Sequence, residues 1–353
     1  MLLITRSFIT WIYSMHNLAV ALSVLATFFT QAQGLGNENA ASLLLPTNLI
    51  HQFPNGTWVE NLAVRTNGQL VTTISSTPDL YQVDPQNRCP PFLLHSFTGF
   101  TSTVGITETS PDIFQVVVGN CSLATFEGTP GSFSIFQVNV SALPACPDSR
   151  ELQISEVAQL PNAVFLDGLT TLPQEPNTIL AADINLGVVW RINVSNGESV
   201  VAIDNVLMKP GAVSDAIGID GIKIDAGQLI FTNPGQNIIG KIPIDASGDA
   251  TGNASIVVPI GGDDFAVDFG TQMLFSVGGS GNLTEVVLAS GEALNLTMLP
   301  GPTACAFGRT GTDRGCLYVT TSGGDAAYAH MPVLVGGAVF SVDVFQNGSC
   351  AEA

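Results

Sequence analysis

The chain of 353 residues sets 29 Asp and Glu against 10 Lys and Arg, a formal net charge of −19. That balance excludes nucleic acid and anionic membrane surfaces as partners, because phosphates and acidic lipids repel such a surface. It suits solubility at mildly acidic pH, or attraction of cations.

Residues 1–32 read as a signal peptide. Leu18 to Phe29 is almost wholly apolar, Arg6 lies upstream, and Thr30-Gln31-Ala32 offers small residues where a signal peptidase reads. The apolar run is short for a membrane span; the alternative is a signal anchor that begins further upstream. No later segment reaches spanning length without charge or Gly/Pro interruption. Residues 33–353 are therefore expected to form one domain, secreted or in the secretory-pathway lumen, with no membrane contact after signal removal.

A strand, SLLLPTNLIHQF, comes first at Ser42 to Phe53. After it one phrase returns: an apolar strand with small or acidic residues near its start, a turn, then a second strand ending in Thr, Ser, Asn or Gly. Its copies start at Val59 (VENLAVRTNGQLVTTISS), Phe165, Ile219 (IDGIKIDAGQLIFTNPG) and Asp264, with looser copies at Thr103 and Thr303. Two more strands follow each copy, as IIGKIPID and ASIVVP follow the one at Ile219. A strand-encoding repeat of about 40 to 60 residues marks a β-propeller. The fold class is thus all-β: six blades of four antiparallel strands, with few helices. The sixth blade runs out after GAVFSVDV, and Ser42 to Phe53 is expected to dock as its outer strand, closing the ring and removing an exposed edge.

The six cysteines contain no Cys-x-x-Cys pair, so three disulfides are expected. Cys305 and Cys316 flank a turn of the sixth blade, Cys121 and Cys146 flank the middle hairpin of the second, and elimination leaves Cys89 for Cys350; fifteen connectivities are formally open. Sequons at Asn55, Asn120, Asn139, Asn193, Asn253, Asn282, Asn295 and Asn347 point to a glycosylated protein. There is no nucleophile elbow, zinc motif, P-loop or dinucleotide fingerprint, and only His51, His95 and His330 survive signal removal.

In a propeller, chemistry sits at the central channel, and residues at the start of each first strand face one mouth. Those positions include Glu60, Asn61, Asp167, Asp220 and Asp263 or Asp264. Their oxygens would suit Ca²⁺ or another divalent cation. The Asp-Gly pairs also read as turn chemistry, and inner carboxylates can simply accept from backbone N–H groups.

IDGIKID followed by LIFTNPGQNIIGKIPID resembles the six-bladed senescence-marker/gluconolactonase/strictosidine-synthase superfamily. FPNGTWVENLAVRTNGQLVTT, from Phe53, is similar to the opening of that superfamily's fungal secreted members, among them the hetero-Diels-Alderases of tropolone sesquiterpenoid biosynthesis. The lactonases of the superfamily hold a divalent cation through a first-blade Glu, Asn residues and an Asp. Here Glu60 and Asp220 match, Asp167 stands where Asn is usual, and the second blade presents Val104, Gly105 and Thr107.

The resemblance therefore implies a cofactor-free cycloaddition enzyme that orients a quinone-methide-type heterodiene and a humulene-type alkene in the channel. Its substrate is a small terpenoid or polyketide molecule. The candidate catalytic residues are Glu60, Asp167, Asp220, Arg309 and His330. The candidate substrate-binding residues are Trp58, Asn61, Phe165, Asn233, Phe265, Phe307 and Tyr328, with Tyr328 and His330 in the insertion AAYAHMPVLVGG. For the aromatic residues, packing between blades is the competing role. A metal-dependent lactonase and a non-catalytic ligand- or protein-binding propeller are the alternative functions.

Overall fold

The computed structural model describes residues 44–149, 152–214, 216–278, 281–324, 335–348 and 350. The expected signal peptide, Tyr328 and His330 lie outside the described residues. Six four-stranded antiparallel sheets follow one another, and the one helical element among the described residues is the 3-10 turn Val206–Met208.

The first strand of each blade lines the axis. In chain order these are Val59–Val64, Ser102–Ser110, Leu166–Leu172, Ile222–Asp225, Phe265–Asp268 and Pro302–Phe307. Each touches the first strand of the next blade, and the sixth touches the first, so the ring is complete. The N-terminal strand Thr47–Gln52 pairs antiparallel with Ala338–Asp343, from Thr47 opposite Val342 to Gln52 opposite Ala338, and is the outer strand of blade six as expected.

Six clusters of buried apolar residues fill the gaps between successive blades. This explains why the middle strands are apolar on both faces. In Ile113–Gly119, Phe114 and Val116 pack toward blade one while Val117 packs toward blade three. Outer strands have no such cover, and Ser199–Asp204 leaves Val200 and Val201 about half exposed.

In blades one, two, three and six the register of the first strand slips near its start, between Val59 and Leu62, Thr103 and Ile106, Leu166 and Leu169, and Pro302 and Cys305. Such bulges re-aim side chains, and here they carry Glu60-Asn61, Val104-Gly105, Asp167-Gly168 and Thr303-Ala304. A threonine near the end of the second strand staples three of the six starts. The Thr73 hydroxyl accepts the Asn61 N–H and donates to the Val104 carbonyl of the next blade. Thr232 joins Gly221 to the Asp263 carbonyl in the same way, and Thr320 joins Ala304 to that of Glu60.

The Asp-Gly pairs are not turns. A Cβ on Gly168 would stand 2.4 Å from the Asp220 carbonyl, and one on Gly221 would stand 2.4 Å from an Asp264 carboxylate oxygen. Glycine is there because the next blade's first strand passes too close for any side chain.

The disulfide pairing differs from the expectation. Cys89 bonds Cys146 and Cys316 bonds Cys350, while Cys121 and Cys305 are free thiols. Cys121 follows a second strand, at the axial mouth, whereas Cys146 follows a third strand and lies at the opposite end of the same blade. Cys305 sits opposite Val319, three residues along the strand from Cys316, about 10 Å away. Each bond that does form joins cysteines at one end of the propeller.

Candidate active site at the channel mouth

The starts of the first strands bring Glu60, Asn61, Asp167, Asp220 and Asp264 to one mouth of the channel, all buried, with Asp263 partly buried beside them. The cation among them is Lys223, one position into the first strand of blade four. Its ammonium donates to both oxygens of Asp264, at 2.7 and 2.9 Å, and stands 5.4 Å from the centre of the Phe265 ring. Asp264 also accepts from Asn61 Nδ2 at 3.1 Å and from the Phe265 N–H at 2.7 Å. It is the carboxylate with its charge met.

The other acids are not compensated in this way. Burial, with a smaller contribution from the nearby Asp264 charge, pushes Glu60 up to about 7 against the hydrogen bond from Ser75 Oγ at 3.1 Å. The Trp58 indole N–H opposes that rise as well, although it is buried without a hydrogen bond of good geometry. Asp167 is raised well above the ordinary carboxylate range by burial, then by Glu60, Asp263 and Asp264, and Lys223 partly offsets this. Asp220 is raised by burial and then by Asp263, Asp167, Glu60 and Asp264. Asp263 is raised by burial, Glu60 and Asp264, with a hydrogen bond from Asp220 acting against the rise. Like charges in a desolvated ring cannot all ionise, so protons are shared among them near neutral pH.

Two loops frame this mouth. The loop after the second strand of blade two carries a small hairpin, Cys121–Ser122 with Glu127–Gly128. Its Phe126 ring meets Trp58 edge-on at 6.0 Å. The Cys121 thiol, 3.1 Å from Ser102 Oγ, is pushed up to about 11 by burial and by the Glu60 and Asp167 charges, so it stays a thiol and is no nucleophile. The loop around Val206–Met208 is clamped by Asn233, whose amide donates to the carbonyls of Leu207 and Lys209, both at 2.9 Å.

The remaining expected site residues lie elsewhere. Phe165 stacks on Phe133 between blades two and three, and Phe265 packs between blades four and five, with its ring beneath the Lys223 ammonium. Phe307 ends its strand, at the far end of the channel, edge-on to Phe275 and stacked on Phe345. Arg309 is at that end too, donating to the Val64 carbonyl and pairing with Glu108. Lys223 was missed by sequence reasoning. The signal was present: it is one of three lysines in the chain, and it lies inside an inner strand between two aspartates.

None of the mouth carboxylates belongs to a group of three His, Cys, Asp or Glu ligand atoms lying within 4.8 Å of one another. Among the described residues, the one His/Cys/Asp/Glu group whose ligand atoms all lie within 4.8 Å of one another is Asp84, Cys89 and Cys146, and two of those three share a disulfide. At the mouth, the Lys223 ammonium already pairs with Asp264. What the arrangement can do is hold protonated carboxyl groups in a water-poor channel, ready to donate to an oxygen.

No protein-family model matches the chain. It is 32% identical over 340 residues to a protein of Phoma sp named "Putative hetero-Diels-Alderase", covering 85% of this chain and 93% of that one. It is 28% identical over 329 residues to "Putative hetero-Diels-Alderase asR5" of Sarocladium schorii, covering 82% and 81%. Among solved structures, a luciferin-regenerating enzyme superposes with a TM-score of 0.60 at 15% identity, over 86% of this chain and 96% of that one. A regucalcin of Agrobacterium tumefaciens, described as calcium-binding, superposes with a TM-score of 0.58 at 15% identity, over 84% and 93%. At such identities these two structures speak for the fold alone.

Proposed function

The chain belongs to the family of these hetero-Diels-Alderase relatives, and on that premise we propose that it catalyses an intermolecular hetero-Diels–Alder reaction at the mouth holding Glu60. The observation that carries the reading is Glu60 itself, a buried carboxyl that keeps its proton to about pH 7 within a ring of acids that share theirs.

The proposed heterodiene is an ortho-quinone methide and its partner a humulene-type alkene. Three electron pairs move: a carbon–carbon and a carbon–oxygen σ bond form, the carbonyl becomes the ring oxygen, and no atom leaves. The enzyme need supply no electrons. Holding both partners in a near-attack arrangement can contribute up to roughly 7 to 11 kcal/mol. A hydrogen bond from Glu60 or Asp220 to the heterodiene oxygen, which gains negative charge in the transition state, lowers the barrier further. The same acids can protonate the leaving hydroxyl of a hydroxymethyl precursor, releasing water to give the quinone methide. Trp58 and Phe126 supply an apolar wall beside them.

Two disulfides and eight sequons support a place in the secretory pathway, and no helix among the described residues is long and apolar enough to cross a membrane. The test is incubation of the purified protein with a hydroxymethyl tropolone and a humulenol, followed by chiral chromatography. One stereoisomer formed faster than in buffer is expected. Product that appears no faster and no more selectively than in buffer overturns the reading.

A further inference from the structure

The far end of the propeller holds a cavity of about 580 Å³, lined by Val267, Phe269, Phe307, Phe345, Arg309 and Arg314 among others. It lies beyond the ends of the first strands of blades five and six. Asp268, which lines it, is four residues along the strand from Asp264, roughly 13 Å from the proposed active mouth. Its volume falls within the roughly 300 to 1,000 Å³ typical of small-molecule sites.

Its walls are of two kinds. Phe307 and Phe345 stack 5.9 Å apart with their planes 8° from parallel, and Phe275 meets both edge-on from behind. Phe269 is 62% exposed at the rim. With Phe345, 37% exposed, it forms a contiguous apolar patch at the cavity rim, a surface that gains by being covered.

The charge is equally specific. In a chain of net charge −19 nearly every described basic residue has a carboxylate: Arg65 with Asp112, Arg88 with Asp84, Arg191 with Asp249, Lys209 with Asp204, Lys223 with Asp264. Arg314 and Lys241 have no ion pair among the described residues, and of the two Arg314 lines this cavity, beside the Glu108-paired Arg309. The nearby acids do not pair with Arg314. Asp268 accepts from the Gly270 N–H and the Thr271 hydroxyl of its own turn, and Glu108 is held by Arg309 and the Asp112 N–H.

The geometry points to a second ligand site here, distinct from the channel mouth, for a flat apolar anion such as an aromatic carboxylate. Its ring lies against Phe269, Phe307 and Phe345, and its charge is met by Arg314. A guanidinium presents a planar fork of donors that a carboxylate matches with two parallel hydrogen bonds. The site requires nothing of the cycloaddition and stands if that reading fails.

Titration calorimetry of the full chain with 1-naphthoate, and with neutral 1-naphthylmethanol, tests it. The naphthoate is expected to bind one site, about ten-fold more weakly in Arg314→Gln, since losing a charge-assisted hydrogen bond costs about that factor, and about ten-fold more weakly in Phe269→Ala, since losing the apolar area of one ring face costs a similar amount. Both replaced residues are exposed, so folding is not at stake. The naphthylmethanol should bind at least about ten-fold more weakly than the acid, and Glu60→Gln should leave naphthoate binding unchanged. No binding, equal affinity for the acid and the alcohol, indifference to both far-end replacements, or loss in Glu60→Gln would each overturn the assignment.

Discussion

Lys223 reaches across from the fourth blade to hold both carboxylate oxygens of Asp264 in the fifth, at 2.7 and 2.9 Å. Asp264 is 3% exposed, so its charge depends on protein partners rather than on water. Replacing Lys223 with Met should cost about 3 kcal/mol, the order found when one partner of a buried pair is removed. The double variant Lys223→Met/Asp264→Asn should recover much of that loss. Urea denaturation at pH 8 measures both, and additive losses would show that the pair is not coupled.

Stability should fall as pH rises across neutrality. In the unfolded chain these carboxyls release their protons near pH 4, whereas folding raises Glu60 to about 7 and Asp167, Asp220 and Asp263 well above their usual range. Between those limits the folded state binds more protons than the unfolded state, so stability is fully present below the unfolded values and declines on the way up. The urea midpoint is expected to be higher at pH 5 than at pH 8. Glu60→Gln should flatten the decline and stabilise the protein at pH 8 by up to about 3 kcal/mol. A profile that rises toward pH 8 contradicts a proton-holding cluster.

The catalytic counterpart follows the same proton. If Glu60 donates to the heterodiene oxygen, the rate falls as pH rises through about 7. Glu60→Gln, a weaker donor of similar shape, should lower kcat about 100-fold and remove that limb of the profile. Asp220→Asn should also slow the reaction while preserving the fold. Stopped-flow or product-formation rates from pH 5 to 9 decide; unchanged kinetics in both variants would move the site away from this mouth.

Gly221→Ala should destabilise the ring by about 1 to 3 kcal/mol, because its new methyl group must displace the Asp264 carboxylate or the strand that carries it. Gly311, with nothing within 4 Å of a built Cβ, is the control and should tolerate Ala. Thermal denaturation of the two variants compares them directly.

Alkylation of the denatured, unreduced protein should tag two of the six cysteines, Cys121 and Cys305. Mass spectrometry of the peptides checks this, and a protein with no free thiol would overturn the pairing.

The blades and their closure were legible because each strand is short, apolar and bounded by turn residues, and because the phrase recurs. Glu60, Asn61, Asp167 and Asp220 were legible for a related reason: they occupy the same point of the repeat, where the register slips in blades one and three. Phe307 and Arg309 misled because the sixth copy starts at Thr303, and residues four and six positions further on were read as belonging to that start. The residues at its mouth are Thr303 and Ala304, and a further half-strand carries the chain to the other face. The disulfides depend on which loop ends meet at the far end of the propeller, Cys89 of the first blade with Cys146 of the second and Cys316 with Cys350 beyond the last strand, and no repeat encodes that. Lys223 was overlooked because scarce basic residues were read as a property of the whole surface, whereas one of them is spent inside the channel.

The pairing of Thr47–Gln52 with Ala338–Asp343 also sets an order of events. The strand leaving the ribosome first has no hydrogen-bonding partner until nearly three hundred further residues have been made, from Thr47 to Val342. Five blades can assemble from neighbouring chain as it emerges, but the ring is sealed only when its two distant ends anneal. That seam is the last contact to form, and a force drawing the two strands apart would meet it first.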